Sequence, residues 1–156
     1  MLRSMNALHP RLLPIYVLVA AVEACAARQA PHALLPDRSP MLTELTAQYP
    51  LAAGQSVRAE RLGATTNLSY HLVQIAPGAG ERLHIHAQHD LVVTLLRGVG
   101  TQRIRDELLP LKAGDSAVIP AGTPHRFVNT GNEVSAAFVI FSPPFDGSDQ
   151  IFLDTP

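Results

Sequence analysis

Three histidines are the residues whose type and spacing could support metal chemistry in this chain. His84 and His86 are separated by one residue, and His125 directly follows a loop rich in proline and glycine, residues 120–124. On a β-strand, side chains at i and i+2 project from the same face, roughly 6.5–7 Å apart along the strand. Both imidazoles can therefore reach one ion, and the rigid loop allows His125 to approach it from a neighbouring strand.

Neutral imidazoles are ligands for borderline transition metals, and the predicted cofactor is one divalent ion: Fe, Mn, Ni, Zn or Cu. Three protein ligands leave coordination positions open for water or a substrate. Open positions are typical of catalytic sites, whereas structural sites are closed. The sequence does not identify a second residue that would act as a catalytic acid or base.

The histidines stand in two blocks of defined spacing. In the first block, Gly78 is followed by five residues and then by His84-Ile85-His86. In the second block, Gly114 is followed by five residues, then by the run 120–125, and three further residues separate the histidine from Asn129. These blocks resemble the two signature motifs of the cupin superfamily, and the second block matches at every fixed position.

The resemblance covers roughly residues 55 to 142 and implies an all-β fold, the cupin double-stranded β-helix or jelly-roll barrel. Members of this superfamily are small antiparallel barrels that hold a metal in the barrel mouth. The resemblance implies that His84, His86 and His125 are the metal ligands. It also implies a mainly structural part for Asn129.

The first block departs from the family where a glutamate is expected. Counted back from Gly98, that position holds Leu91, and Asp90 stands one residue earlier. In a regular strand Leu91, Val93 and Leu95 share one apolar face, and Asp90 points the other way. A bulge in the preceding corner would turn Asp90 inward as a fourth metal ligand. The alternatives are a three-histidine site, as in the thiol dioxygenase branch of the superfamily, or no metal.

Two more histidines lie near these blocks. His71 lines the barrel mouth if its face is inward, together with the apolar wall of Leu91, Val93 and Leu95, although a histidine satisfied elsewhere in the core or on the surface is the commoner outcome. His89 lies in the corner before the strand that begins at Leu91. We expect it to face water; the alternative is a base that lies outside the ligand group.

The elements that position the histidines are short strands. From residue 55 onward, runs with β-branched and aliphatic residues alternate with turn signals, and thirteen prolines and ten glycines punctuate the chain. This spacing predicts a sandwich or a closed barrel, and the resemblance favours the jelly roll over an immunoglobulin-like sandwich. The predicted strands are 55–62, 66–76, 82–86, 91–97, 101–104, 107–111, 116–119, 125–129 and 134–141.

The N-terminus has the layout of an export signal. A basic start precedes an apolar run, residues 12–22, which is shorter than the ~20 residues that a membrane-spanning helix needs. Val22-Glu23-Ala24-Cys25 resembles a bacterial lipobox, in which the cysteine becomes lipid-modified, although Glu23 is unusual there. The sequence thus predicts an exported protein, periplasmic or anchored to a membrane through Cys25. An unlipidated export signal and a cytoplasmic protein are the alternatives.

The predicted organisation has four parts: an export signal (1–25), a proline-rich tether with an ambiguous edge segment (26–54), the barrel (55–145) and a C-terminal tail (146–156). Apolar residues make up 47% of the 156 residues, enough for a core, and the single cysteine excludes an intrachain disulfide. The net charge of −1 gives no electrostatic reason to expect nucleic acid as a partner.

Two functions are consistent with these patterns. The first is a metal-binding protein of unassigned activity, for which a small-molecule dioxygenase with a three-histidine site is the enzyme candidate. The second is a non-catalytic small-ligand-binding module tethered at the cell envelope. The partner is a small molecule in either case, and a homodimer is left open.

Overall fold

The fold is all-β, as predicted, with two antiparallel sheets and one short helix. The computed structural model describes residues 41–153. Its elements are α1 Leu42–Gln48, β1 Val57–Ala64, β2 Ser69–Ile75, β3 His84–His86, β4 Asp90–Arg97, β5 Val99–Ile104, β6 Glu107–Lys112, β7 Ser116–Ile119, β8 His125–Asn129, β9 Ser135–Ser142 and β10 Gln150–Phe152.

The strands form two five-stranded sheets, with the orders β1-β2-β9-β4-β7 and β10-β3-β8-β5-β6. The apolar faces of both sheets contribute to one core cluster. The first sheet supplies residues such as Leu95 and Ile119, and the second supplies Leu111 and Phe127. Alternation along β4 follows the pleat, since Leu91, Val93 and Leu95 are buried while the residues between them are more exposed.

The segment before the barrel, for which the sequence left an edge strand and a helical turn open, contains the helix α1. Leu45 of α1 is buried and packs with Leu72 of β2 and Ala136 of β9 in a second apolar cluster. Leu72 belongs to the opposite face of β2 from His71, since neighbouring residues of a strand alternate. The helix therefore covers the side of the first sheet that faces away from the histidines.

Part of the predicted C-terminal tail belongs to the second sheet, because Gln150–Phe152 form β10 and pair with β3. The proline pair at 143–144 ends β9, and three residues are too few for a periodic strand signal. This strand was missing from the sequence prediction for that reason. It lies beside His84 and His86.

The predicted export signal, the Cys25 lipidation site and most of the tether lie outside the described residues. Within residues 41–153, no helix is long and apolar enough to cross a membrane.

Asn129 at the end of β8 ties three parts of the backbone together. Its side chain is fully buried, and its Nδ2 donates to the carbonyl oxygens of Ile75 at 2.9 Å and Glu133 at 2.8 Å. Its Oδ1 accepts the Gly131 N–H at 2.9 Å. These contacts agree with the structural part that the resemblance implied.

Asn129→Ala is expected to lower the free energy of unfolding by about 2–4 kcal/mol, because it leaves buried backbone groups without partners. Urea unfolding of the variant and the wild type measures the difference. The matched control is Asn132→Ala, at an exposed position in the neighbouring turn, which should change stability by no more than about 0.5 kcal/mol. Equal stability of the two variants would contradict this role.

Candidate metal centre

Three imidazoles converge at one end of β3 and β8. His84 and His86 lie on β3, and His125 begins β8 directly opposite His84. One ring nitrogen from each of the three lies within 4.8 Å of the others, and each residue is only 3% exposed. The predicted same-face pair and its third partner are therefore brought together.

Two of the rings are oriented by carbonyl groups of their own chain segment. The Nδ1 of His84 lies 2.7 Å from the carbonyl oxygen of Arg82, and the Nδ1 of His125 lies 2.8 Å from that of Thr123. A carbonyl oxygen only accepts hydrogen bonds, so each Nδ1 carries the proton and donates. The Nε2 lone pairs of His84 and His125 are left for an ion.

The third ring is oriented by a carboxylate. The Nδ1 of His86 lies 3.4 Å from Oδ1 of Asp149, just before β10. The carboxylate selects the same tautomer as the carbonyl groups select in the other two rings. A ligating histidine that donates its second nitrogen to an oxygen is the usual arrangement around protein-bound metals.

Burial keeps two of the imidazoles uncharged. Desolvation lowers the pKa of His86 to about 4, with the hydrogen bond that His86 donates to Asp149 opposing the shift. Desolvation also lowers the pKa of His125 to about 4, against the opposing effect of the Thr123 carbonyl group. Both rings are neutral at pH 7, which is the state that ligates a metal. The donor set thus fits a borderline divalent ion.

Asp90 is not part of this group. It lies at the exposed start of β4, where its Oδ1 accepts the backbone N–H of Ala121 at 2.8 Å. The register of β4 against β9 is regular here, with Asp90 opposite Ser142 and Leu91 opposite Phe141. Without a bulge at the corner, alternation sends the Asp90 side chain outward and Leu91 inward.

A cavity of about 110 Å³ adjoins the three histidines. His71 and the predicted apolar residues Leu91, Val93 and Leu95 all line it. The Nε2 of His71 lies 3.1 Å from the hydroxyl oxygen of Ser69, and burial lowers the pKa of His71. His71 therefore belongs to the cavity wall but not to the ligand group.

The cavity also contains a carboxyl group that the sequence analysis did not single out. Glu81 lines the cavity, and its Oε2 accepts the Phe127 N–H at 3.1 Å. Desolvation raises the pKa of Glu81, while nearby His84 has the opposite effect. Glu81 falls among the five variable residues of the first block, where no pattern marks it.

His89 is buried, contrary to the expectation that it faces water. Its Nδ1 lies 2.6 Å from Oδ2 of Asp149, which also accepts the Gln88 N–H at 2.7 Å. Burial would raise the pKa of Asp149, but hydrogen bonds from His89, Gln88 and His86 outweigh it and lower that pKa. Asp149 was missed because it lies in the predicted tail.

Known proteins are similar to the part of the chain that carries this site. The family model described as "Cupin domain" matches residues 71–141. An uncharacterized protein of Aquifex aeolicus is 40% identical over 97 residues, which cover 62% of this chain and 78% of that protein.

Solved structures share the fold. A double-stranded β-helix protein from Klebsiella pneumoniae superposes with a TM-score of 0.63 at 18% identity, covering 76% of this chain and 100% of that one. KdgF from Halomonas superposes with a TM-score of 0.55 at 26% identity, covering 58% of this chain and 82% of that one. The fold is the cupin double-stranded β-helix, and residues 71–141, which carry the two histidine blocks on adjacent strands, match the cupin domain family.

Proposed function

We propose that this protein is a metal-binding cupin whose centre holds one divalent first-row transition ion through the Nε2 atoms of His84, His86 and His125. The observation that carries the proposal is the convergence of three buried rings, each with its Nδ1 facing an oxygen acceptor. Without an ion, the Nε2 lone pairs of three buried imidazoles would face one another and have no partner. Such burial of polar atoms is unfavourable.

The cavity beside the ligands supports a small molecule as the partner. Its walls are mostly apolar, with residues such as Leu91, Val93 and Phe141, and its few polar groups include Glu81 and Gln102. Apolar walls with few polar groups are typical of sites that bind small organic molecules and fix their orientation.

The activity of this metal-binding protein is unassigned, and the enzyme candidate is a dioxygenase-like oxidoreductase. A bound ferrous ion supplies redox chemistry with oxygen and a position for a substrate heteroatom. The chain itself contributes the apolar walls, which exclude water, and the Glu81 carboxyl, which is placed to hold or release a proton beside a bound molecule.

The alternative is a non-catalytic module that binds a small ligand, and the ligand set favours it. No carboxylate joins the three histidines in the described part of the chain, and Leu91 occupies the position where the family usually has a glutamate. Tethering at the cell envelope through Cys25 stays a prediction from the leader sequence.

The first prediction for the centre concerns metal content. Wild-type protein loaded separately with iron, manganese, nickel, copper or zinc should retain close to one equivalent of one of these metals. His84→Ala and His125→Ala should lose it, because two imidazoles hold an ion weakly. Elemental analysis after gel filtration measures the ratio, with His71→Gln as the control that keeps the metal. A metal-free wild type after all loadings would refute the proposal.

The iron-loaded protein then separates the two functions. Oxygen uptake with a thiol or a catechol, absent in His125→Ala, supports the dioxygenase-like activity. Saturable binding of such compounds without oxygen uptake supports the binding module.

A second prediction concerns the position of the family glutamate. Leu91 is 3% exposed and lines the cavity, so Leu91→Glu should tighten metal binding by adding a carboxylate beside the histidines. Asp90→Ala should leave metal affinity unchanged, since Asp90 points outward. Competition titrations against a chelator measure both affinities. Loss of affinity in Asp90→Ala would show that the carboxylate reaches the ion.

A third prediction concerns the metal-free protein and pH. His86 and His125 have folded-state pKa values of about 4, below the ~6.5 of an exposed histidine in the unfolded chain. Their contribution to stability is fully present above about pH 6.5 and is lost as the pH falls towards 4, because the unfolded chain takes up protons first.

Urea unfolding of metal-free protein between pH 7 and pH 5 should therefore show a falling free energy of unfolding. The double variant His86→Gln/His125→Gln should show a shallower dependence on pH over the same range. Equal slopes for the variant and the wild type would contradict the assignment.

A further inference from the structure

Asp149 is a buried carboxylate that accepts hydrogen bonds from three groups. Although residues 146–148 and 150–152 on either side of it are exposed, Asp149 is only 7% exposed. Its oxygens face the Gln88 N–H at 2.7 Å, the Nδ1 of His89 at 2.6 Å and the Nδ1 of His86 at 3.4 Å. Burying a carboxylate without donors costs free energy, so the carboxylate stays bound to these three donors. Its hydrogen bonds therefore also hold the donor groups in place.

We propose that Asp149 is a positioning residue of the metal centre, and that the segment carrying it, residues 143–153, is a working part of that centre. The proposal rests on the proposed function, and it goes further by naming what orients the third ligand.

His86 differs from the other two ligands in the origin of its partner. His84 and His125 each donate to a carbonyl group two residues earlier in their own segment, so their orientation is fixed locally. His86 donates to a side chain 63 residues further along the chain. Its tautomer therefore depends on whether the C-terminal segment is docked.

The docking is made on the strand that carries two of the ligands. In β10, Gln150 pairs with His86 and Phe152 pairs with His84. The backbone N–H of Ala87 donates to the carbonyl oxygen of Asp149 at 3.3 Å. The Arg82 guanidinium lies 4.3 Å from the centre of the Phe152 ring, a cation–π contact at the far end of β10.

The other side of His86 is covered by Phe145 of the same segment. The two ring centres lie 4.7 Å apart with the planes at 88°, an edge-to-face contact. Phe145 also stacks on Phe141 at 4.6 Å, and its N–H donates to the hydroxyl oxygen of Ser69 at 2.9 Å. The segment thus contacts the His86 ring through both a carboxylate and an aromatic side chain.

His89 holds the carboxylate in place. Its Nδ1 faces Asp149, and its Nε2 lies 3.3 Å from the carbonyl oxygen of Pro144. His89 therefore contacts the C-terminal segment at two points and anchors Oδ2 through its Nδ1. With Oδ2 held by His89 and Gln88, Oδ1 is directed at His86.

A carboxylate behind a ligating histidine fixes the ring and makes its other nitrogen a better donor to the ion. Loss of such a partner typically lowers metal affinity about 10–100-fold. Asp149→Ala should therefore weaken Zn²⁺ binding by that factor while all three ligands remain.

The decisive measurement is the tautomer of His86 in the metal-free protein, read from the ¹⁵N shifts of its ring. In the full-length wild type, His86 should be protonated at Nδ1. In Asp149→Ala, a substantial fraction should be protonated at Nε2. Asp149→Asn keeps an acceptor oxygen but loses the charge, so its Zn²⁺ affinity should fall less than that of Asp149→Ala. The longer carboxylate of Asp149→Glu should restore part of the affinity.

Asp106→Asn is the matched control, because that carboxylate is fully exposed and pairs with Arg103 and not with a histidine. It should keep wild-type Zn²⁺ affinity and the wild-type His86 tautomer. Affinity is measured by competition with a chelator of known strength.

Two results would overturn the proposal. One is a wild-type His86 protonated at Nε2, which needs no variant and so remains decisive even if Asp149→Ala does not fold. The other is unchanged Zn²⁺ affinity in folded Asp149→Ala or Asp149→Asn. A wild type that binds no metal refutes the proposed function instead, and the tautomer of the metal-free protein still tests Asp149 separately.

Discussion

The pairing of His84 with His125 across β3 and β8 is the contact on which the rest of the centre depends. It joins the two histidine blocks, which are separated along the chain by four strands of the barrel. Once these residues are opposite each other, the pleat of β3 places His86 on the same side as His84. The sheet thereby fixes the distances among the three rings, and hydrogen bonds at Nδ1 fix only their rotation.

The parts of the site that follow from local periodicity were predictable. The same-face pair on β3 and the inward face of β4 both follow from alternation of side chains, and the fold class follows from strand spacing with the two blocks. The same rule placed Asp90 outside unless a bulge intervened, and the regular register of β4 shows that none does at that position.

Local periodicity does not predict contacts that a single side chain makes with residues far away in the sequence. Asp149 follows a proline pair and a glycine, and no pattern in its neighbourhood distinguishes it from a solvated aspartate. His89 was expected to face water for the same reason, since its burial depends on a segment 60 residues away. Glu81 is similar, because its partner is a backbone amide on another strand.

The position of Asp149 late in the chain orders the events of assembly. Synthesis delivers His84, His86 and His125 before residues 143–153, so a growing chain has all its ligands before the third one has its anchor. Two locally oriented imidazoles come first, and the docking of β10 then completes the set. Under the proposed function, we expect a chain whose final strand is not yet docked to hold an ion weakly, so that commitment to a metal waits for the C-terminal segment.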